Sequence, residues 1–202
     1  MIIIKNLSKM YGTNNIFKEY NLSVAEGEMI AITGNSGKGK STLLNIMGSL
    51  EPFESGLVEV NNRDIKKMKH KMQLRFLREE VSFLFQNYAL MENENVHKNI
   101  TMGEKYPEES ITKTLEEVGL IGMEKRTVHT LSGGEQQRVA LARIMLKPSK
   151  LILADEPTGN LDETNASKVW EILLQLKSVG KTVIVATHEV QALHHFDRVV
   201  AL

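Results

Sequence analysis

An α/β fold built around a mainly parallel sheet is what this sequence predicts, and three features carry the prediction. Short apolar runs recur at Met29–Thr33, Val81–Phe85, Leu151–Ala154, Thr182–Ala186 and Arg198–Leu202. Helical patterns lie between several of them, as crossover connections in a parallel sheet require. A glycine-rich loop follows directly on Met29–Thr33 and leads into a helical pattern over Thr42–Leu50. With 202 residues, 42% of them hydrophobic and 25% charged, the chain suits one domain with a full core.

Taken in order, Ile2–Ile4 and Leu22–Val24 read as short strands on either side of a loop that contains Gly12, and Met29–Thr33 as a buried strand. In Thr42–Leu50, residues Leu43, Leu44, Ile46, Met47 and Leu50 suit a helix packed on several sides. Gly56–Val60 adds a strand. Residues 87–130 change character: they are polar and helix-prone, with Pro107 near a helix start and Ile111, Leu115 and Val118 on one face. They hold no convincing strand and are expected to form a helical subdomain between core segments 1–86 and 131–202. Trp170 falls among Val169, Ile172, Leu173 and Leu176, where packing accounts for it.

Composition removes several function classes. Lys plus Arg number 25 and Asp plus Glu 25, so the net charge is zero and a strongly basic nucleic-acid binder is disfavoured. The run Lys66–Arg75 is basic, but it lacks interleaved aromatics and Glu79 and Glu80 follow it. A solvated helix face is the better reading, and no nucleic-acid partner is expected. Cysteine is absent, which excludes disulfides, thiolate metal sites and cysteine nucleophiles. His194 and His195 should diverge on a helix, and the other histidines are scattered, so a histidine metal cluster is not expected. Among the methionines, Met29, Met47 and Met145 fall in apolar patterns and read as core. No apolar run approaches the roughly 20 residues that span a bilayer. The chain is expected to be soluble, so any work at a membrane would need another polypeptide to do the spanning.

The loop Gly34-Asn35-Ser36-Gly37-Lys38-Gly39-Lys40-Ser41, followed by Thr42, matches G-x-x-x-x-G-K-[ST] between a strand and a helix. Its glycines let backbone N–H groups converge on phosphate oxygens, and the following helix N-terminus adds partial positive charge. Lys40 can reach terminal phosphates and the Ser41 hydroxyl can ligate Mg²⁺. Lys38, at a variable loop position, reads either as a solvated side chain or as extra phosphate affinity.

A second cluster ends the strand Leu151–Ala154 in Asp155 and Glu156. Acids at the C-terminal end of a buried strand sit where α/β sheets place ligand chemistry. Asp155 suits a metal and Glu156 suits proton abstraction from water; capping of the next segment is the plainer alternative. Between these motifs, Leu131-Ser132-Gly133-Gly134-Glu135-Gln136-Gln137-Arg138 precedes a helical run. Ser132 and Glu135 fit a capping box, yet a cap alone does not call for two glycines in the first turn, where they weaken a helix.

In this order, the three stretches resemble the ATP-binding cassette (ABC) ATPases, and the resemblance covers essentially the whole chain. It implies a phosphate-loop NTPase-type core, mainly parallel, with a small antiparallel β subdomain and the helical insert, as one domain over 1–202. It implies that Tyr11 stacks on adenine and that Gln86 meets Mg²⁺ and the attacking water. It places Asp162 in a loop at a dimer interface and His188 at the γ-phosphate. ATP and Mg²⁺ are the implied cofactors. One chain would hold half of each site, with Ser132, Gly133 and Gly134 of a second copy completing it. The stretch from Ala154 to Asp162 resembles ATPases of macrolide and lipoprotein exporters, and Phe83–Glu94 resembles those of lactococcin-type bacteriocin export. The implied partners are an integral membrane permease and a second copy of the chain. The implied place is the cytoplasmic face of a bacterial membrane. Two features depart from the family pattern: the stretch between Gln86 and Ser132 is short, and the chain stops at Leu202 just after a strand-like run. A soluble cassette acting on nucleic acid or ribosomes would usually carry a coiled coil or a second cassette, and neither is present. A regulatory cassette with little turnover fits poorly with Glu156 and His188 both in place.

Overall fold

The computed structural model describes residues 2–159 and 161–202. Its first half runs β1 (Ile2–Tyr11), β2 (Asn14–Val24), β3 (Met29–Thr33), α1 (Lys40–Met47), β4 (Ser55–Val60), β5 (Arg63–Asp64), α2 (His70–Glu79) and β6 (Val81–Leu84). The second half runs α3 (Val96–Thr101), α4 (Glu108–Glu117), α5 (Gly133–Leu146), β7 (Leu151–Asp155), α6 (Glu163–Ser178), β8 (Thr182–Ala186) and β9 (Arg198–Ala201). Short 3₁₀ turns occupy Ile65–Lys67, Val128–Thr130 and Val190–His195.

Two sheets form. One has the order β2-β1-β4-β5 and is antiparallel; the other has the order β6-β7-β8-β3-β9 and is parallel throughout. Strand alternation sends Ile30, Ile32, Leu153 and Ile184 into a core shared with α1 and the antiparallel sheet. The intervening Met29, Ile152, Ala154, Val183 and Val185 enter a second core beneath α5 and α6. Such a sheet, covered on both faces, reads as continuous apolar runs. Its register pairs Asp155 with Ala186 and Ala186 with Ile32, so β3, β7 and β8 end side by side. The segments that leave those ends, at Gly34, Glu156 and Thr187, therefore share one edge of the sheet.

Several expectations are corrected. The two short N-terminal strands are one long hairpin, which turns at Gly12 in the left-handed region. Its polar, irregular register, with left-handed Asn6 and Glu19, hid the strands from a pattern search. Helix α1 starts at Lys40 and stops at Met47, leaving Leu50 exposed. Gly48 follows as the C-cap, and only glycine fits there, since a Cβ would lie 1.8 Å from Phe83 Cζ. Strand β9, read in the sequence as a short apolar run, is the sheet edge and largely exposed. Met29 and Met47 are buried, whereas Met145 packs only partly against the core. His194 and His195 lie in a 3₁₀ turn with ring centroids 3.9 Å apart and do not diverge. Trp170 packs edge-on against Phe196, as the packing reading requires. Within 87–130 the regular elements are α3, α4 and a 3₁₀ turn, with Ile111, Leu115 and Val118 buried.

Candidate active site

The edge where β3, β7 and β8 end opens into a cavity of about 680 Å³. Gly34, Asn35, Ser36, Gly37, Gly39, Lys40, Ser41 and Thr42 line it, together with Tyr11, Ile16, Gln86, Glu156 and His188. Most of the residues singled out by motif thus converge on one space. Lys38 is exposed and lines none of it, which favours the solvated reading of that side chain.

The loop owes its shape to glycine. Gly39 has φ +97°, and a Cβ there would lie 2.5 Å from Ile16 Cγ2 and 2.9 Å from Phe17 Cζ. A left-handed residue at the N-cap with no side-chain cap leaves the first N–H groups of α1 unclaimed by side chains. That is the arrangement an anionic ligand can use. The Lys40 ammonium donates to the Gly34 carbonyl at 2.8 Å and lies 3.6 Å from Glu156 Oε1, at the floor of the cavity.

Glu156 adopts φ +46°, a conformation that costs an L-residue about 1 kcal/mol or more. Its N–H bonds to the Ala186 carbonyl at 2.9 Å, and its Oε2 meets His188 Nδ1 at 2.8 Å. No sequence signal announces that left-handed turn, which aims the carboxylate over the loop. Beside it, burial raises the Asp155 carboxyl above its ordinary value, opposed by a hydrogen bond to Ser41. Asp155 Oδ1 is buried with no protein hydrogen-bond partner. An orphaned carboxylate oxygen beside a serine hydroxyl fits a divalent cation, since a buried anionic oxygen otherwise bears its full desolvation cost.

The Ser132 motif is elsewhere. Ser132 and Gly133 are exposed and, with Gly134 and Asp162, line none of this cavity. Ser132 Oγ accepts from Glu135 N at 3.3 Å while Glu135 Oε2 accepts from Ser132 N at 2.7 Å, so the capping box is real. Asp162 likewise caps α6, accepting from Asn165 N at 2.9 Å. Asn160 lies outside the described residues.

Sequence reasoning missed several contributors. Ile16 walls the cavity from β2. Gln137, buried on α5, donates to the Pro157 carbonyl at 2.6 Å, and Thr158 donates to Glu189 at 2.6 Å. These bonds tie the Glu156 turn to α5 and to the segment holding His188. The inward position of Gln137 on a helix otherwise lined by Val139, Ala140 and Leu141 was the one readable signal.

Residues 17–159 match the protein family described as ABC transporter. The chain belongs to that family. This cassette is 37% identical over 209 residues to the macrolide export ATP-binding/permease protein MacB of Campylobacter jejuni, covering 100% of this chain and 33% of that protein. It is 36% identical over 203 residues to the lipoprotein-releasing system ATP-binding protein LolD of Pseudoalteromonas translucida, covering 95% of this chain and 88% of the relative. The chain spans about a third of the length of the MacB relatives it matches. Among solved structures, the ATP-binding cassette MJ0796, in a dimeric post-hydrolysis state bound to ADP and Pi, superposes with a TM-score of 0.91 at 31% identity. That superposition covers 100% of this chain and 94% of that one. By this kinship the cassette has the ABC nucleotide-binding fold and is an ATPase domain. Among the described residues no helix is long and apolar enough to cross a membrane.

Proposed function

We propose that this chain powers a bacterial exporter by closing, with ATP between them, against a second copy of itself. The observation that carries the reading is the split between the two motifs. The cavity gathers Tyr11, the phosphate loop, Gln86, Glu156 and His188, while Ser132 and Gly133 stand exposed, and Gly134 half-buried, outside it. The MJ0796 neighbour being a dimer supports the same reading.

In this reading Tyr11 holds the base, and the N–H groups from Gly34 to Thr42 and the Lys40 ammonium grip the phosphates. Ser41, Gln86 and Asp155 would hold Mg²⁺, which when bound supplies charge neutralisation at the β- and γ-oxygens. Glu156 takes the proton of the attacking water, and His188, hydrogen-bonded to it, faces the γ-phosphate. Ser132–Gly134 of the second copy close the site at a helix N-terminus. Asp162 belongs to the same interface. Catalysis is then positioning plus charge stabilisation.

For a partner we infer a membrane permease, the chain working at the cytoplasmic face. The Phe83–Glu94 segment points to peptide cargo of the bacteriocin kind, and the MacB and LolD relatives to export in general. Residues 87–130 act as a helical subdomain that carries the contact. Tyr88 and Leu90 pack partly against the core. The open surface is instead an apolar groove of about 580 Å³ whose lining includes Phe83, Phe85, Met102 and Tyr106.

The decisive experiment is Glu156→Gln. Turnover should fall by about two to four orders of magnitude, ATP binding should persist, and gel filtration with Mg-ATP should show a stable dimer. A variant that stays monomeric with ATP bound would remove the proposal. Co-purification with a multi-span membrane protein tests the exporter assignment.

A further inference from the structure

Tyr11 is half exposed at the cavity rim, at 48%, and such a ring is ordinarily free to change rotamer. Here it is not left free. Two residues earlier on β1, and so on the same strand face, Lys9 is 4% exposed and its ammonium lies 4.6 Å from the Tyr11 ring centroid. That ammonium is fixed in turn by Glu51 Oε1 at 2.7 Å and the Pro52 carbonyl at 2.8 Å. Glu51 also interacts with the Tyr11 side chain. Lys9 lines none of the cavity, whereas Tyr11 does.

We propose that Lys9 is a positioning residue for the nucleotide base: its buried ammonium clamps one face of the Tyr11 ring so that the other face is held ready for adenine. The inference rests on the reading of Tyr11 as the stacking residue. A desolvated cation on a ring face is at the strong end of cation–π attraction. Fixing the ring in advance removes an ordering cost from binding. The cation also draws π density away from the cavity face, which favours a stacked, electron-rich purine. The Glu51 carboxylate, held low by its bond from Lys9, stays ionised through the neutral range and keeps the lysine in place.

The test compares two ligands on the full chain by titration calorimetry: Mg-ATP and Mg-tripolyphosphate, which has no base. In Lys9→Met the affinity for Mg-ATP should fall about five- to tenfold while that for tripolyphosphate stays within twofold. In steady-state assays the loss should appear in KM rather than kcat. Lys9→Arg, which keeps the cation over the ring, should restore most of the affinity. Equal weakening of both ligands would show a merely structural role and overturn the inference, with the tripolyphosphate arm reporting whether the phosphate loop is still folded. Tyr11→Ala separates the two layers. If it selectively weakens ATP while Lys9→Met does not, the clamp is wrong and the stacking stands; if it spares ATP, the stacking reading falls and the clamp with it.

Discussion

Helices α1 and α5 both carry glycine at their N-termini, yet those termini are built in opposite ways. At α1, Gly39 caps in a left-handed conformation with no side chain reaching the free N–H groups. Its missing Cβ is required by the chain's own packing, because Ile16 and Phe17 fill the space. At α5, Ser132 and Glu135 cap each other reciprocally. A Cβ on Gly133 would meet nothing within 4 Å, and one on Gly134 only the Asn165 amide at 3.3 Å. The first helix end is thus finished on the inside and unclaimed toward the cavity. The second has its Glu135 N–H claimed by its own cap, and at Gly133 it keeps a glycine that its own fold does not need. A glycine without an internal reason makes sense where something outside the chain must come close, which is the role proposed for the second copy.

The largest effect expected from this contrast is at Lys40. Lys40→Ala removes the one full charge at the α1 terminus, and Mg-ATP affinity by calorimetry should fall about two orders of magnitude. Unchanged affinity would show that the α1 terminus is not the phosphate cradle. Next come the two glycines, where stability and function should move in different directions. Gly39→Ala should lower stability by about 1–3 kcal/mol in urea unfolding, from the left-handed strain and the crowding of Ile16 and Phe17. Gly133→Ala should leave stability unchanged or raise it by up to about 1 kcal/mol, since alanine favours the helix. It should nevertheless cut turnover at least about tenfold, because Ala at the tip obstructs the facing nucleotide. Full activity in Gly133→Ala would remove the argument from its open surroundings.

How much of this could be read in the residue string follows the same division. Strands β3, β7 and β8 were legible because a parallel sheet buried on both faces writes continuous apolar runs. The site was legible where spacing and residue type coincide, at the phosphate loop and at Asp155 and Glu156. Tyr11, Gln86 and His188 carry no local pattern of their own, and only the family resemblance singled them out; the structure then set them around one space. The hairpin β1–β2 was under-read because its polar positions and irregular register break the period-two signal. For the same reason Ile16, half-buried on β2, went unnoticed as a cavity wall. The left-handed Glu156 was invisible because its strain is imposed from outside, by the Ala186 carbonyl and His188. Local pattern reports what a segment prefers, and Glu156 is held by neighbours 30 and 32 positions away.

The smallest effect belongs to the cap that distinguishes α5. Ser132→Ala removes the Oγ acceptor for Glu135 N and the hydroxyl bond of 2.8 Å to Glu135 Oε2. It leaves the backbone bond from residue 132 to that carboxylate intact. The expected cost is about 1 kcal/mol at neutral pH. The pH dependence identifies its origin. Hydrogen bonds from the Ser132 backbone and hydroxyl hold the Glu135 carboxyl below its ordinary 4.5. A depressed carboxyl stabilises the fold fully above its unfolded value and loses that contribution as pH falls through the folded one. The difference between wild type and Ser132→Ala in urea midpoints should therefore be constant from pH 8 to about pH 5 and shrink below about pH 4, as the carboxylate that the hydroxyl serves is protonated. A difference that persists undiminished in acid would mean that Ser132 acts through the neutral N–H contact alone. The capping box would then matter less to α5 than the comparison with α1 requires.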